Sequence, residues 1–276
     1  MSKPVLYRFG GSVWAAVPEL AFEELGYTDQ VVQETVSVLE GENLELKYLK
    51  ISAQGTLPAI VTPSGELYDS STSSTQYLIK NAPQGAKTGK PADPKLLEIL
   101  HADNIDPNFF LLAARNQEEL DAKNQSVPGY FIRAHHKVLQ RVAPTAPPEL
   151  KDFYDAKVTK ISGLNAIYTP GASSDLTAPY FKASQENWDA VANFTLKDLP
   201  TYLPEQGFLG GDIPGEADYH VGAWLARIAS VLGAKNETGA WKSFEVFGPV
   251  PESLQKYWEA WTARKSWNAV YKDGLH

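Results

Sequence analysis

The chain contains no cysteine among its 276 residues. That excludes disulfides, thiolate metal sites, Cys-x-x-Cys redox chemistry and a cysteine nucleophile together, so any thiol chemistry must use a thiol supplied by a ligand. It also lacks any apolar run near the roughly 18 residues needed to span a bilayer. The start, Met1 to Arg8, has no apolar core of the secretory type, which predicts a cytoplasmic protein without membrane attachment. Positive charge is in short supply: 25 Lys plus Arg stand against 33 Asp plus Glu, a net charge of −8. That is the wrong sign for sequence-independent binding to nucleic acid. No phosphate-loop frame surrounds Gly10-Gly11-Ser12. His135 and His136 are adjacent and point to different sides of a helix, and His101, His220 and His276 have no ligand neighbour at useful spacing, so no metal is expected.

What is present divides into two periodicities. Val5–Phe9 is a β-prone run stopped by Gly10-Gly11, and Leu20, Ala21 and Leu25 give a helical stripe ending at Gly26. Pro18 suits only a helix's first turn and so places the start of regular helix near Val17. Residues 30–38 are rich in β-branched side chains, and Leu44, Leu46, Tyr48 and Leu49 suggest a short irregular helix before Gly55. Leu57–Thr62 and Glu66–Tyr68 flank Pro63-Ser64-Gly65 as a hairpin, and a helix runs from Ser71 to Lys80. The order is βαβ then ββα over residues 1–83. Residues 84–94 close a run of Pro, Gly and Lys without apolar period, which reads as a linker. Residues 95–276 carry helical stripes, among them Ala217, Val221, Trp224, Leu225, Ile228 and Leu232 closed by Gly233, and form an all-helical domain. Trp241, Trp258, Trp261 and Trp267, in a Trp-rich tail, read as core cover.

Leu20–Gly26, Gly55-Thr56-Leu57-Pro58-Ala59-Ile60, Leu67-Tyr68-Asp69-Ser70 and Tyr77-Leu78, followed by Phe208–Asp218, resemble the motifs of the glutathione transferase superfamily in the family's own order. The resemblance implies an α/β plus all-α fold: a thioredoxin-like N-terminal domain followed by a larger helical one. It also implies a homodimer that activates the thiol of glutathione, its co-substrate, for attack on a small hydrophobic electrophile. Detoxifying conjugation, thiolytic ether cleavage and peroxide reduction are all compatible with a chain that has no thiol of its own. The alternative is a non-catalytic, ligandin-like carrier of apolar aromatic ligands on the same fold. The chain departs from the family pattern at Val13, where Pro is usual beside the catalytic residue, and at Gly215, where a Ser or Thr cap is usual.

The same resemblance implies roles for individual residues. Ser12, in the loop before the first helix, is the candidate thiol activator, with Tyr7 near the end of the first strand as its competitor. Leu57, joined to Pro58 by a cis peptide, would pair its backbone with the cysteinyl unit. Asp69, Ser70 and Ser71 would take the γ-glutamyl group, with the register of the Asp/Ser pair open by one residue. Lys47 and Lys50 are candidates for the glycyl carboxylate. Trp14, Phe109, Phe110, Arg115 and Tyr130 are candidates for lining an apolar electrophile site.

Overall fold

A computed structural model describes residues 2–276. The described chain forms two compact units, one of residues 2–35, 57–111 and 188–276, the other of residues 36–56 and 112–187.

The first unit is built on a four-stranded sheet of order β2-β1-β3-β4, with β1 Val5–Arg8, β2 Val32–Thr35, β3 Ala59–Val61 and β4 Leu67–Tyr68. The pair β1 and β2 is parallel, joined through helix α1, Val13–Glu24, as such a pair requires a crossover. The pairs β1–β3 and β3–β4 are antiparallel. Helix α3, Ser71–Lys80, follows β4 and completes the thioredoxin-like βαβ-ββα order. Leu6 of β1 and Ile60 of β3 face a core shared with Val13, Val17, Leu20 and Ala21 of α1 and Leu78 of α3.

Pro18 corrects the reading of α1 from sequence. The helix starts at Val13, immediately after Ser12, and passes through Pro18. Proline there forfeits one backbone bond, and nearly the whole of α1 from Val13 to Phe22 is buried, so packing outweighs the loss.

The helical part of this unit centres on α10, Glu216–Val231, every residue of which from Glu216 to Ala229 is buried. A helix covered on all sides belongs in the middle of a core. Gly222 has no room for a side chain, since a Cβ would stand 2.9 Å from Cε2 of Trp261. Trp258, Trp261 and Trp267 of the tail are fully buried around it, as core cover.

In the second unit, α7, Val127–Val142, packs on α8, Lys151–Tyr168. Leu139, Val142, Tyr154 and Ile161 form a core there with Leu44 and Leu49. The Tyr154 hydroxyl donates to the Leu44 carbonyl at 2.7 Å, and His135 bonds the Val38 carbonyl. Segment 36–56, which contains the short helix α2, Leu46–Leu49, is thereby anchored within its own unit. Among the described residues no helix is long and apolar enough to cross a membrane.

Candidate functional site

Strand register brings three loops to one end of the sheet. Tyr7 pairs with Ala59, so the C-terminal end of β1 lies beside the N-terminal start of β3, and Ile60 pairs with Tyr68, so β4 also ends there. The loop Phe9–Ser12, the segment Leu57–Pro58 and the turn Asp69–Ser70 therefore leave the sheet along the same edge.

Ser12 is the N-cap of α1, and its Oγ accepts the Ala15 N–H at 3.3 Å. Its hydroxyl hydrogen has no acceptor among the described residues and remains available to donate. The cap also sets the hydroxyl at the positive end of the helix dipole, which favours a negative partner. Ser12 N–H closes the turn onto the Phe9 carbonyl at 2.9 Å. Gly11 accommodates the Phe9 ring, which a Cβ would meet at 2.8 Å.

Tyr7 lies within the ladder, opposite both Glu34 and Ala59, and alternation puts its side chain on the face away from Leu6. Burial, and then the negative charge of Glu34, hold its phenol above the ordinary value, so it is a neutral hydroxyl at physiological pH.

The Leu57–Pro58 peptide is cis. Neither the N–H nor the C=O of Leu57 has a backbone or side-chain partner among the described residues, and both are open to an extended ligand backbone. Ser70 is the N-cap of α3 and exchanges bonds with Ser73: Ser73 N–H donates to Ser70 Oγ at 3.0 Å and Ser70 N–H to Ser73 Oγ at 3.1 Å. The N–H groups of Ser71 and Thr72 then have no partner within the helix, an arrangement suited to a carboxylate, while half-buried Asp69 supplies negative charge one residue earlier.

Among the residues considered for an electrophile site, Trp14 stacks on His101 at 4.1 Å between ring centroids. Helix α4 is Pro94–Leu100 and α5 is Pro107–Leu112. Phe110 of α5 is 2% exposed, stacks on Trp188 and packs as core, while Phe109 is half-buried. Arg115 and Tyr130 belong to the second unit, where Arg115 pairs with Glu119 and the Tyr130 hydroxyl donates to Glu40 at 2.7 Å. Lys47 and Lys50 are in that unit too, exposed and without an ion pair among the described residues.

Two features escaped sequence reading. His101 and His220 meet with Nε2 and Nδ1 3.1 Å apart, although 119 positions separate them. His220 is wholly buried and pushed down to about 3 by desolvation, and packing of the ring lowers His101 as well although that residue is exposed overall, so both are neutral at pH 7. Arg227 of α10 reaches the loop before Ser12 and donates to the Gly11 carbonyl at 2.6 Å. No local pattern announces a contact over such a separation. No group of three or more His, Cys, Asp or Glu side chains that could hold a metal ion occurs among the described residues.

Residues 6–87 match the family model of the glutathione S-transferase N-terminal domain. No curated protein matches the chain by sequence. Among solved structures, the chain is similar to the β-etherase LigF from Sphingobium sp. strain SYK-6, with 16% identity over 99% of this chain and 100% of that one and a TM-score of 0.58. It is similar also to glutathione transferase F2 from Populus trichocarpa, with 15% identity over 98% of each chain and a TM-score of 0.50. The N-terminal part of the chain thus matches the glutathione S-transferase N-terminal domain family, and the fold of the whole chain is similar to that of these solved structures.

Proposed function

We propose that this protein is a glutathione transferase in which Ser12 donates a hydrogen bond to the glutathione sulfur and keeps it as thiolate for attack on a small hydrophobic electrophile. The observation that carries this reading is the convergence, at one end of the sheet, of three unspent groups: the Ser12 hydroxyl hydrogen, the Leu57 backbone pair and the Ser71 and Thr72 N–H groups. They match, in order along an extended tripeptide, a thiol, a peptide unit and the carboxylate of a zwitterion whose ammonium suits Asp69.

The energetics are sufficient. A free thiol of ordinary pKa is only a few per cent ionised at pH 7. A charge-assisted hydrogen bond worth about 1.5–3 kcal/mol lowers that pKa by roughly one to two units. Ser12 suits the task better than Tyr7 because its oxygen already accepts from the helix terminus, which polarises the O–H toward donation. In conjugation the thiolate forms the new C–S bond, and the electrons of the bond broken at carbon leave with the departing group, as halide or as an aryloxide that takes a proton from solvent. With a hydroperoxide the thiolate attacks the terminal oxygen, the O–O bond breaks, and the released alkoxide takes a proton from solvent.

The test is the ultraviolet thiolate band of the glutathione complex, titrated for wild type, Ser12→Ala and Tyr7→Phe, together with turnover on activated aryl halides, aryl ethers and hydroperoxides. Ser12→Ala is expected to raise the bound thiol pKa and lower turnover at least about tenfold with glutathione affinity nearly kept. A band that survives this change and disappears in Tyr7→Phe would transfer the role to Tyr7. Tight binding of aromatic dyes without turnover on any substrate would make the protein a carrier.

A further inference from the structure

We infer that Arg227 is a positioning residue for thiol activation, its guanidinium holding the peptide that carries Ser12. The inference rests on the Ser12 reading above.

The Gly11–Ser12 peptide is gripped from both sides. Its carbonyl accepts from Arg227 Nη2 at 2.6 Å, and its N–H donates to the Phe9 carbonyl at 2.9 Å. In a trans peptide these two groups point in opposite directions, so pinning both stops rotation of the plane. That plane sets the φ of Ser12, −103°, and with it the direction of Cα–Cβ and the hydroxyl. Restraint matters here because Gly10 and Gly11 leave the loop conformationally free, and about an ångström of misplacement at a reacting group costs up to 10²-fold in rate.

Arg227 is poorly explained by stability alone. It is 5% exposed, forms no salt bridge among the described residues, and its Nε has no hydrogen-bond partner. A buried cation without a bonded carboxylate is a net cost. Its surroundings include Asp106, Tyr271 and His276, with Glu19 beyond Tyr271 and Arg8 beyond His276. Desolvation pushes the guanidinium down to about 10, so it keeps its charge at neutrality. That charge lies directly behind the loop and adds to the positive end of α1, favouring an anionic sulfur.

The experiment titrates bound glutathione by its thiolate band in wild type, Ser12→Ala, Arg227→Gln and Arg227→Lys, with a thermal melt to establish folding. Arg227→Gln is expected to raise the bound thiol pKa by about one unit, a tenfold loss of thiolate below it, with the glutathione Kd changed less than about twofold. Arg227→Lys, which keeps the charge but not the planar fork, should recover part of the shift. If wild type lowers the thiol pKa and Ser12→Ala raises it, yet both folded Arg227 variants titrate like wild type, the positioning role is overturned while the Ser12 reading stands. If wild type does not lower the thiol pKa, or Ser12→Ala leaves it unchanged, both fail. Should neither Arg227 variant fold, hydrogen exchange of the wild-type Ser12 amide decides. Slowing by about a hundredfold against an unstructured peptide supports a held loop, and exchange at the unstructured rate overturns it.

Discussion

The Tyr257 hydroxyl donates to the Asp218 carboxylate at 2.8 Å, in the interior of the first unit. Asp218 is 0% exposed and also accepts the backbone N–H groups of Leu209, Gly210 and Gly215 at 2.8, 2.7 and 2.8 Å. Desolvation raises its pKa against these four donors, all of which favour the ionised form. One carboxylate thus ties the Phe208–Gly215 loop to the start of α10, a task the side-chain-free Gly215 cap cannot perform. Asp218→Ala leaves two buried N–H groups, one partly buried N–H group and a buried hydroxyl without an acceptor, and we expect a loss of about 3–5 kcal/mol in urea unfolding. Tyr257→Phe removes one donor of four and should cost only about 1–1.5 kcal/mol.

Ser12→Ala is expected to change stability as well as chemistry. The Oγ that would face the thiol also caps α1 through Ala15 N–H, so its removal should cost about 1 kcal/mol in chemical denaturation. Turnover compared well below the melting temperature separates the two effects. An equal loss of stability in Ser12→Thr, whose hydroxyl can still cap, would argue that the cap bond is unimportant.

Glu19 carries the clearest pH dependence. It accepts from Arg8 Nη1 at 2.9 Å, but burial outweighs that attraction and raises its carboxyl to about 7. The folded state therefore holds a proton that the unfolded chain releases near its ordinary value of 4.5. This contribution is complete below the unfolded pKa and is lost as pH rises through about 7. His220 and His276, lowered to about 3 and about 4, act in the opposite sense below their unfolded value of 6.5. The difference between wild type and Glu19→Gln isolates the carboxyl: relative to the glutamine variant, wild type should lose stability from pH 5 to pH 8. A flat difference would show that Glu19 does not titrate in that window.

Two helical glycines should respond to alanine with opposite signs. Gly163 in α8 is exposed and a Cβ there meets nothing within 4 Å, so Gly163→Ala should stabilise by about 0.5–1 kcal/mol through backbone propensity. Gly222 in α10 gains the same propensity, but its Cβ would press on Trp261 at 2.9 Å. That ring is 1% exposed and hemmed in by Phe208 and Trp267. Overpacking of about 1–3 kcal/mol then exceeds the gain, and Gly222→Ala should be destabilising on balance. Urea midpoints of the two variants check both signs.

Much of the fold was readable because its signals are local. The βαβ-ββα order, the hairpin around Pro63-Ser64-Gly65 and the helix from Ser71 to Lys80 follow from apolar period, turn residues and a serine cap within a few positions of one another. Pro18 was misread for the same reason, since a local rule against proline in a helix knows nothing of the burial that holds α1 together around it.

The sequence by itself determined the absence of any protein thiol, the excess of negative charge, the order of strands and helices, and the residue types available at the β1–α1 loop. Only tertiary structure decided that Ser12 caps α1, that His101 meets His220, that residues 36–56 pack with 112–187, and that Arg227 closes on Gly11 from 216 positions away. Hydrophobic period is written into neighbouring residues, whereas a hydrogen bond between distant segments exists only after the core has placed both backbones within reach.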